Sequence, residues 1–306
     1  MTATAGAIGS PTGLHRPAGT TAESGWSTVV TPESAGWGFT GLRVATLAPG
    51  GRIELVTGGD EAIVLPLAGA FRVEAEGETI DLDGRRDPFA GPTDFAYVPR
   101  DARLSIESPR GGRVAVATAR TERRLTVRHG AAAGVPIELR GAGPASRLVR
   151  NFATPAAFDA DRLIAVEVIT PAGNWSSWPP HKHDEAGPAE SVLEEIYYFE
   201  VAAAPDGAPG IGYQRVYGTP DRPIDVLVEV RDGDVVLIPH GWHGPAMAAP
   251  GYDLYYLNVM AGPDDERAWR ISDDPAHAWV RGTWPGQPID PRIAGLARPG
   301  EPGQTA

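Results

Sequence analysis

From Trp26 onward the chain is a succession of short β-like runs: WSTVV, GLRVATLA, RIELVTG, EAIVLPLAG, FRVEAEG, ETIDLDG, DFAYVP, ARLSIES and RVAVATA. Gly, Pro and Asp punctuate them at intervals of about ten residues, and no long helical periodicity falls between them. A chain of this kind is confined to an antiparallel sandwich or barrel, because each strand must bury its apolar side against a second layer. The pattern weakens over residues 121–143, TERRLTVRHGAAAGVPIELRGAG, whose charges, glycines and proline read as a crossover. It resumes with RLVRNF and LIAVEVITP, and later with GYQRVYG, DVLVEV, DVVLIP and YDLYYLNVMAG. The expected architecture is all-β, with two antiparallel β-barrel domains. A flexible N-terminal arm would occupy residues 1–25, a first barrel 26–135, and a second barrel with a C-terminal tail 136–306. Trp269, Trp279 and Trp284 are expected to anchor that tail to the barrel surface, and the chain is expected to be disordered from about Arg298.

An internal repeat supports two units of one kind. Asp60-Glu61-Ala62-Ile63-Val64-Leu65 resembles Glu194-Glu195-Ile196-Tyr197-Tyr198-Phe199, which sets Glu61 against Glu195. Asp94-Phe95-Ala96-Tyr97-Val98-Pro99 resembles Asp234-Val235-Val236-Leu237-Ile238-Pro239. Four residues past the proline, the first copy has Arg103 and the second His243. No histidine lies between His15 and His129, so only the second copy is expected to hold a metal.

Totals exclude several classes. A formal net charge of -12 argues against nucleic acid and against anionic membranes as partners. No cysteine is present, so a metal would have to be held by nitrogen and oxygen ligands. No apolar run is long enough for a transmembrane helix, and the first residues lack the pattern of a signal peptide. A cytoplasmic location follows as the default expectation, and a homo-oligomer is left open.

The residues able to carry chemistry gather in SSWPPHKHDEAGPAESVLEEIYYF, residues 176–199. His181 and His183 fall on one face of an extended chain, since side chains alternate with period two. Glu195 opens a strand-like run, and His243 follows another. Three imidazoles and a carboxylate suit one divalent transition metal ion, with Zn, Mn or Fe foremost and Co or Ni compatible. Lys182, the only lysine in the chain, sits between two of these ligands.

These residues match the two cupin motifs: His181, His183 and Glu195 for the first, then Gly233, Pro239, Gly241 and His243 for the second. Strand parity favours Glu195 over Glu194, and the motif register favours His243 over His240. The His-to-Glu gap is longer than the common cupin spacing, which a loop over 184–193 would absorb. More closely, PPHKHDE, LEEIYYF, YQRVY, DGDVVLIP and APGYDLYYLNVMAG resemble the 5-deoxy-glucuronate isomerase family of inositol catabolism. TPESAGWGFTGLRV, EAIVLPLAG and FAGPTDFAYVPRDA are similar to it in the first half. Trp242-His243-Gly244-Pro245 departs from a Tyr-His-Pro form associated with that family.

The resemblance implies a bicupin, that is, two double-stranded β-helix barrels. It implies a metal-dependent aldose–ketose isomerase converting 5-deoxy-glucuronate to 2-deoxy-5-keto-gluconate, with a small sugar acid as substrate. Such chemistry needs a metal at the carbonyl and a group that moves a proton between neighbouring carbons. Glu185, Lys182, Tyr197 and Tyr217 are the titratable candidates, and Arg215, Tyr255 and Asn258 are candidates for substrate contact, Arg215 as a fork for the carboxylate. The rival expectations are a cupin metal-dependent dioxygenase and a non-catalytic sugar-binding bicupin.

Overall fold

The computed structural model describes residues 13–296. The disorder expected from Arg298, and the first twelve residues of the expected arm, lie outside that range. The rest of the arm is tied down, because His15–Arg16 pairs with Val235–Ile238 as an edge strand of the second half.

Each half is built from facing antiparallel sheets. In the first half the sixteen-residue strand Asp60–Ala75 is the spine. Its beginning lies between Phe95–Val98 and Gly112–Arg120, and its end between Glu78–Arg85 and Arg103–Ser108, with a register shift between Pro66 and Ala68. In the second half, Glu194–Val201 lies between Val235–Ile238 and Leu254–Ala261. That sheet continues through Ile164–Thr170 and Arg147–Ala153 to Ile137–Arg140. The opposing sheet runs Asp225–Val230, Gly212–Tyr217, Trp242–Ala248, His181–Lys182, Ser272–Asp273. Among the described residues the ladders form these facing sheets and do not run as an unbroken ring.

The chain crosses between halves after Arg128–Gly130, which still pairs with Phe95–Val98, and before Ile137–Arg140, which pairs with Arg147–Ala153. Both faces of the central strands are buried, which is why EEIYYFEV reads as a nearly continuous apolar run. Ile196 and Tyr198 pack with Ile63, Leu65, Tyr255 and Leu257 in a core shared by the two halves. Tyr197 and Phe199, on the opposite face, line the interior of the second half with Val216, Ala246 and Tyr256. The interior of the first half is filled instead by Ala62, Val64, Phe71 and Leu104. Each such large side chain contributes roughly 1.5–3 kcal/mol when fully buried.

The repeat is real, but its register differs by one residue from the sequence match. Ala62 stands opposite Val98 as Glu195 stands opposite Ile238. Glu61 stands opposite Ala119 as Glu194 stands opposite Ala261. Glu61 is therefore the counterpart of Glu194, and the position of Glu195 is taken by Ala62. Both copies begin with an acidic pair, which misled an alignment by composition; a slip of one residue exchanges the two faces of a strand. Arg103 is likewise not an inward counterpart of His243. It is exposed and ion-paired to Glu54 at 3.3 Å, while Ala102 and Leu104 on either side point into the core.

The corrected register exposes a reciprocal clasp. Glu194 accepts hydrogen bonds from the backbone N–H groups of Gly38, Phe39 and Thr40 at 2.6, 2.9 and 3.0 Å. Glu61 accepts from Asp161, Arg162 and Leu163 at 2.8, 2.6 and 2.7 Å, and from the Tyr97 hydroxyl at 2.7 Å. Each half thus supplies a carboxylate to three consecutive N–H groups of the other. The buried Arg85–Glu167 pair and the Arg113–Glu200 pair also cross between halves. Glu61→Ala would leave three N–H groups and a phenol without their acceptor. It should lower unfolding free energy by about 3 kcal/mol or more, read by thermal or urea denaturation. A loss below about 0.5 kcal/mol would show that the clasp is incidental.

Candidate metal centre

His181 lies directly opposite His243 in the ladder between His181–Lys182 and Trp242–Ala248. Cross-strand partners share a face, and the two imidazole centroids are 4.4 Å apart. His183, two residues on, places its centroid 4.7 Å from that of His243. One nitrogen from each of the three rings lies within 4.8 Å of the others. Glu195 reaches them from the facing sheet, its Oε2 3.1 Å from both His183 Nε2 and His243 Nε2. All four side chains are buried.

Local chemistry fixes this geometry. Gly241, at φ +91°, turns the chain just before His243, and a Cβ there would stand 2.7 Å from the Tyr217 carbonyl oxygen. Gly244 accounts for the departure from the Tyr-His-Pro form: a Cβ would meet the Ser177 carbonyl oxygen at 1.9 Å, so only glycine lets that segment close on the strand. Residues 184–193 do form a loop, joined by a bridge between Asp184 and Val192 and by Leu193 N donating to His183 O at 2.9 Å.

The Nδ1 atoms of His183 and His243 lie 3.1 Å from the carbonyl oxygens of Leu193 and Gly241. A carbonyl only accepts, so each Nδ1 carries the proton and each neutral ring turns an Nε2 lone pair toward Glu195. His243 Nε2 has no hydrogen-bond partner. Lone pairs facing a buried carboxylate at 3.1 Å are unfavourable unless a cation lies between them, and the donor set fits a divalent metal of nitrogen and oxygen preference. A proton and a metal ion would compete for these Nε2 atoms. Burial, then the neighbouring His243 and His183, hold His181 well below its ordinary value. Burial opposes charge on His183, but the hydrogen bond and charge of Glu195 override it and raise its pKa. Burial likewise opposes charge on Glu195, and the imidazoles of His243 and His183 outweigh it, bringing Glu195 below the usual carboxylate value.

Around these ligands the structure gathers some of the expected residues and disperses others. Asn258 is at the site and donates to Glu195 Oε1 at 2.5 Å, so it orients a ligand. Tyr197 is also there: its hydroxyl is 3.0 Å from Ser177 Oγ, which is 3.3 Å from the Tyr256 hydroxyl, and the two phenol rings stack at 4.8 Å. Burial, then Glu195 and Tyr256, push the Tyr197 pKa well above its ordinary value.

Tyr255 is not at the site. Strand alternation turns it into the core between the halves, where its hydroxyl donates to Glu167 at 2.8 Å. Arg215 leaves the site by the same parity: the flanking Gln214 and Val216 are buried, while Arg215 binds Asp225 and the Val226 carbonyl on the other face. Tyr217 faces outward too and donates to Asp274.

Lys182 points away from the histidines between which it sits. Its Nζ reaches Asp184, Glu190 and Glu185 at 2.8, 2.9 and 3.0 Å. Burial would lower its pKa, but these three carboxylates raise it. Asp184 in turn accepts from Gly241 N at 2.9 Å, so Lys182 braces the loop that holds His183 against the turn that holds His243. Glu185 is 70% exposed in its side chain and serves this brace rather than the site. His240 stays on the turn, outside the cluster.

Ser177 and Arg147 were not anticipated. Ser177 lies in the SSWPP segment with no distinguishing signal; Arg147 could have been flagged only as a charge opening an apolar strand.

An all-β chain of cupin type with three histidines and a glutamate in one of its two units is the class that fold and site define. The KduI/IolB family model matches residues 14–280, and the chain belongs to that family. It is 43% identical to the 5-deoxy-glucuronate isomerase of Geobacillus kaustophilus, over 82% of this chain and 89% of that protein. It is 37% identical to the enzyme of the same name from Bacillus subtilis, over 82% and 91%. The crystal structure of an IolB-like protein from Salmonella typhimurium superposes with a TM-score of 0.81 at 36% identity, covering 88% of this chain and all of that one. An oxalate decarboxylase of Bacillus subtilis shares the fold, at 12% identity and a TM-score of 0.57, covering 87% of this chain and 80% of that one. No helix among the described residues is long and apolar enough to cross a membrane.

Asn258→Ala should weaken metal binding about 10–100-fold with the fold retained, measured by competition with a chromogenic chelator. Lys182→Met should lower thermal stability by about 1–3 kcal/mol while the purified protein still binds one metal per chain. Loss of all metal from the folded Lys182→Met protein would instead place that lysine in the site itself.

Proposed function

We propose that this chain is a metal-dependent aldose–ketose isomerase that converts 5-deoxy-glucuronate to 2-deoxy-5-keto-gluconate in inositol catabolism. The observation that carries the reading is the buried convergence of His181, His183, His243 and Glu195 in a chain 43% identical to a protein named for that reaction. A divalent metal held there, with Zn, Mn or Fe foremost, would supply Lewis-acid polarisation of the sugar carbonyl and its neighbouring hydroxyl.

The chain's own residues supply the rest. Asn258 fixes the Glu195 carboxylate, so the ligand geometry is set before substrate arrives. The Tyr197–Ser177–Tyr256 hydroxyls form a buried relay beside His243, with Tyr197 and His243 centroids 6.2 Å apart. These hydroxyls can donate to an oxygen on which negative charge develops, and can pass a proton between adjacent carbons. Phe199, Val216 and Ala246 wall the interior with apolar surface that keeps bulk water out and strengthens those interactions. Lys182, Glu185 and Tyr217 are left out of the chemistry because their polar atoms are committed elsewhere.

Purified protein should isomerise 5-deoxy-glucuronate equally well in air and under anaerobic conditions. Dialysis against a chelator should remove at least about 99% of activity, and one equivalent of metal should restore it. Full turnover by metal-free protein would defeat the reading, and obligatory oxygen uptake would replace it with a dioxygenase.

A further inference from the structure

Arg147 is the least compensated charge near the metal centre. Its residue is only 5% exposed, yet it has no carboxylate within ion-pair distance among the described residues. Both of its hydrogen bonds leave from Nη1, to the carbonyl oxygens of Ala145 at 3.0 Å and Trp178 at 3.3 Å. Its Nε and Nη2 find no protein acceptor among those residues. The buried Arg267 is a useful contrast, because it also lacks a carboxylate hydrogen bond but sends Nε, Nη1 and Nη2 to three carbonyls. Neither nitrogen is among the fully enclosed atoms that lack a partner, so both remain open to an entering anion.

Those free donors belong to a residue that lines a cavity of about 140 Å³, bounded by Arg140, Arg147, Trp269, Ile271 and Arg281. Arg140 and Arg281 are held at its rim by their own carboxylates, Glu138 at 2.7 Å and Asp273 at 2.7 Å. Indole rings back the guanidiniums: Trp284 lies 5.7 Å from Arg147 and 5.1 Å from Arg281, and Trp269 lies 5.5 Å from Arg140. The Trp269 Nε1–H is buried with no acceptor, a further donor without a partner. Arg147 connects this cavity to the surroundings of the histidines. Trp178, whose carbonyl binds Arg147, precedes His181 by three residues, and Arg147 acts electrostatically on both His181 and Tyr256.

We propose that this cavity is the anion subsite of the active centre, with Arg147 as the fork that receives the carboxylate of a sugar acid whose carbonyl end lies at the three histidines. The choice of a sugar acid rests on the isomerase reading; the preference for an anion rests on the open Arg147 edge. An open guanidinium edge matches a carboxylate bidentately. The C-terminal tail then has a purpose, because Trp269, Ile271 and Arg281 all come from it and the subsite is incomplete without them.

The test uses the metal-loaded protein and two probes, D-gluconate and its uncharged analogue sorbitol, titrated against tryptophan fluorescence. Kinetics on 5-deoxy-glucuronate are measured in parallel. The wild-type protein should bind gluconate at least about tenfold more tightly than sorbitol. Arg147→Gln should erase that difference and lower kcat/KM on the order of a hundredfold, at unchanged metal content. Arg147→Lys, which keeps the charge and loses the fork, should fall between them and serves if the glutamine variant does not fold. Equal binding of both probes by the wild type, or an undiminished preference in Arg147→Gln, would overturn the subsite. Charge-selective gluconate binding without any turnover would sink the isomerase reading and leave the subsite standing. Turnover that survives Arg147→Gln intact would do the reverse.

Discussion

Glu194 and Glu195 are neighbours on one strand and therefore face opposite ways. Glu194 reaches out to three backbone N–H groups of the first half, and Glu195 reaches in to two imidazoles of its own. One dipeptide thus fixes both how the halves meet and where the ligand carboxylate stands. The first half preserves only the outward member: Glu61 clasps residues 161–163, while Ala62 occupies the inward position and packs against Val64 and Val98. A strand slip of one residue would exchange the two roles, so the clasp also guards the register of the candidate metal site.

The proposed active centre is organised by two groups that the protein's own residues leave open. At the histidines, lone pairs and a carboxylate converge; at Arg147, one edge of a guanidinium is left open by the protein. A metal ion at the first and the proposed sugar-acid carboxylate at the second would complement both. The surroundings hold these groups rigidly, Asn258 on Glu195, the Lys182 cluster on the 184–193 loop, and the indoles on the arginines. Such rigidity is what preorganised electrostatics require.

Much of this was legible in the sequence, and the limits follow from physics. Strand content, the repeat and the meeting of His181, His183, His243 and Glu195 could be read because β-runs, turn residues and the His-x-His spacing are local signals. Glu195 over Glu194 followed from alternation alone. The same rule, carried from Asn258 along its strand, would have chosen Tyr256 and rejected Tyr255, and carried along GYQRVY would have turned Arg215 outward. Arg147 and Arg281 were illegible, since the first half of their cavity comes from a strand and the other from a tail more than a hundred residues later. Trp279 was expected to anchor that tail, yet it is 68% exposed, whereas Trp269 and Trp284 pack against arginines. Lys182 drew notice by its position between two ligands, and alternation sends it the other way.

The convergence of three imidazoles and Glu195 on one cation is the claim on which everything else stands. X-ray absorption spectroscopy of the metal-loaded protein tests it most directly. The expected first shell holds three imidazole nitrogens and at least one carboxylate oxygen at about 2.0–2.2 Å, with one imidazole lost in His183→Ala. A shell with one imidazole or none, or one unchanged by that substitution, would contradict the account.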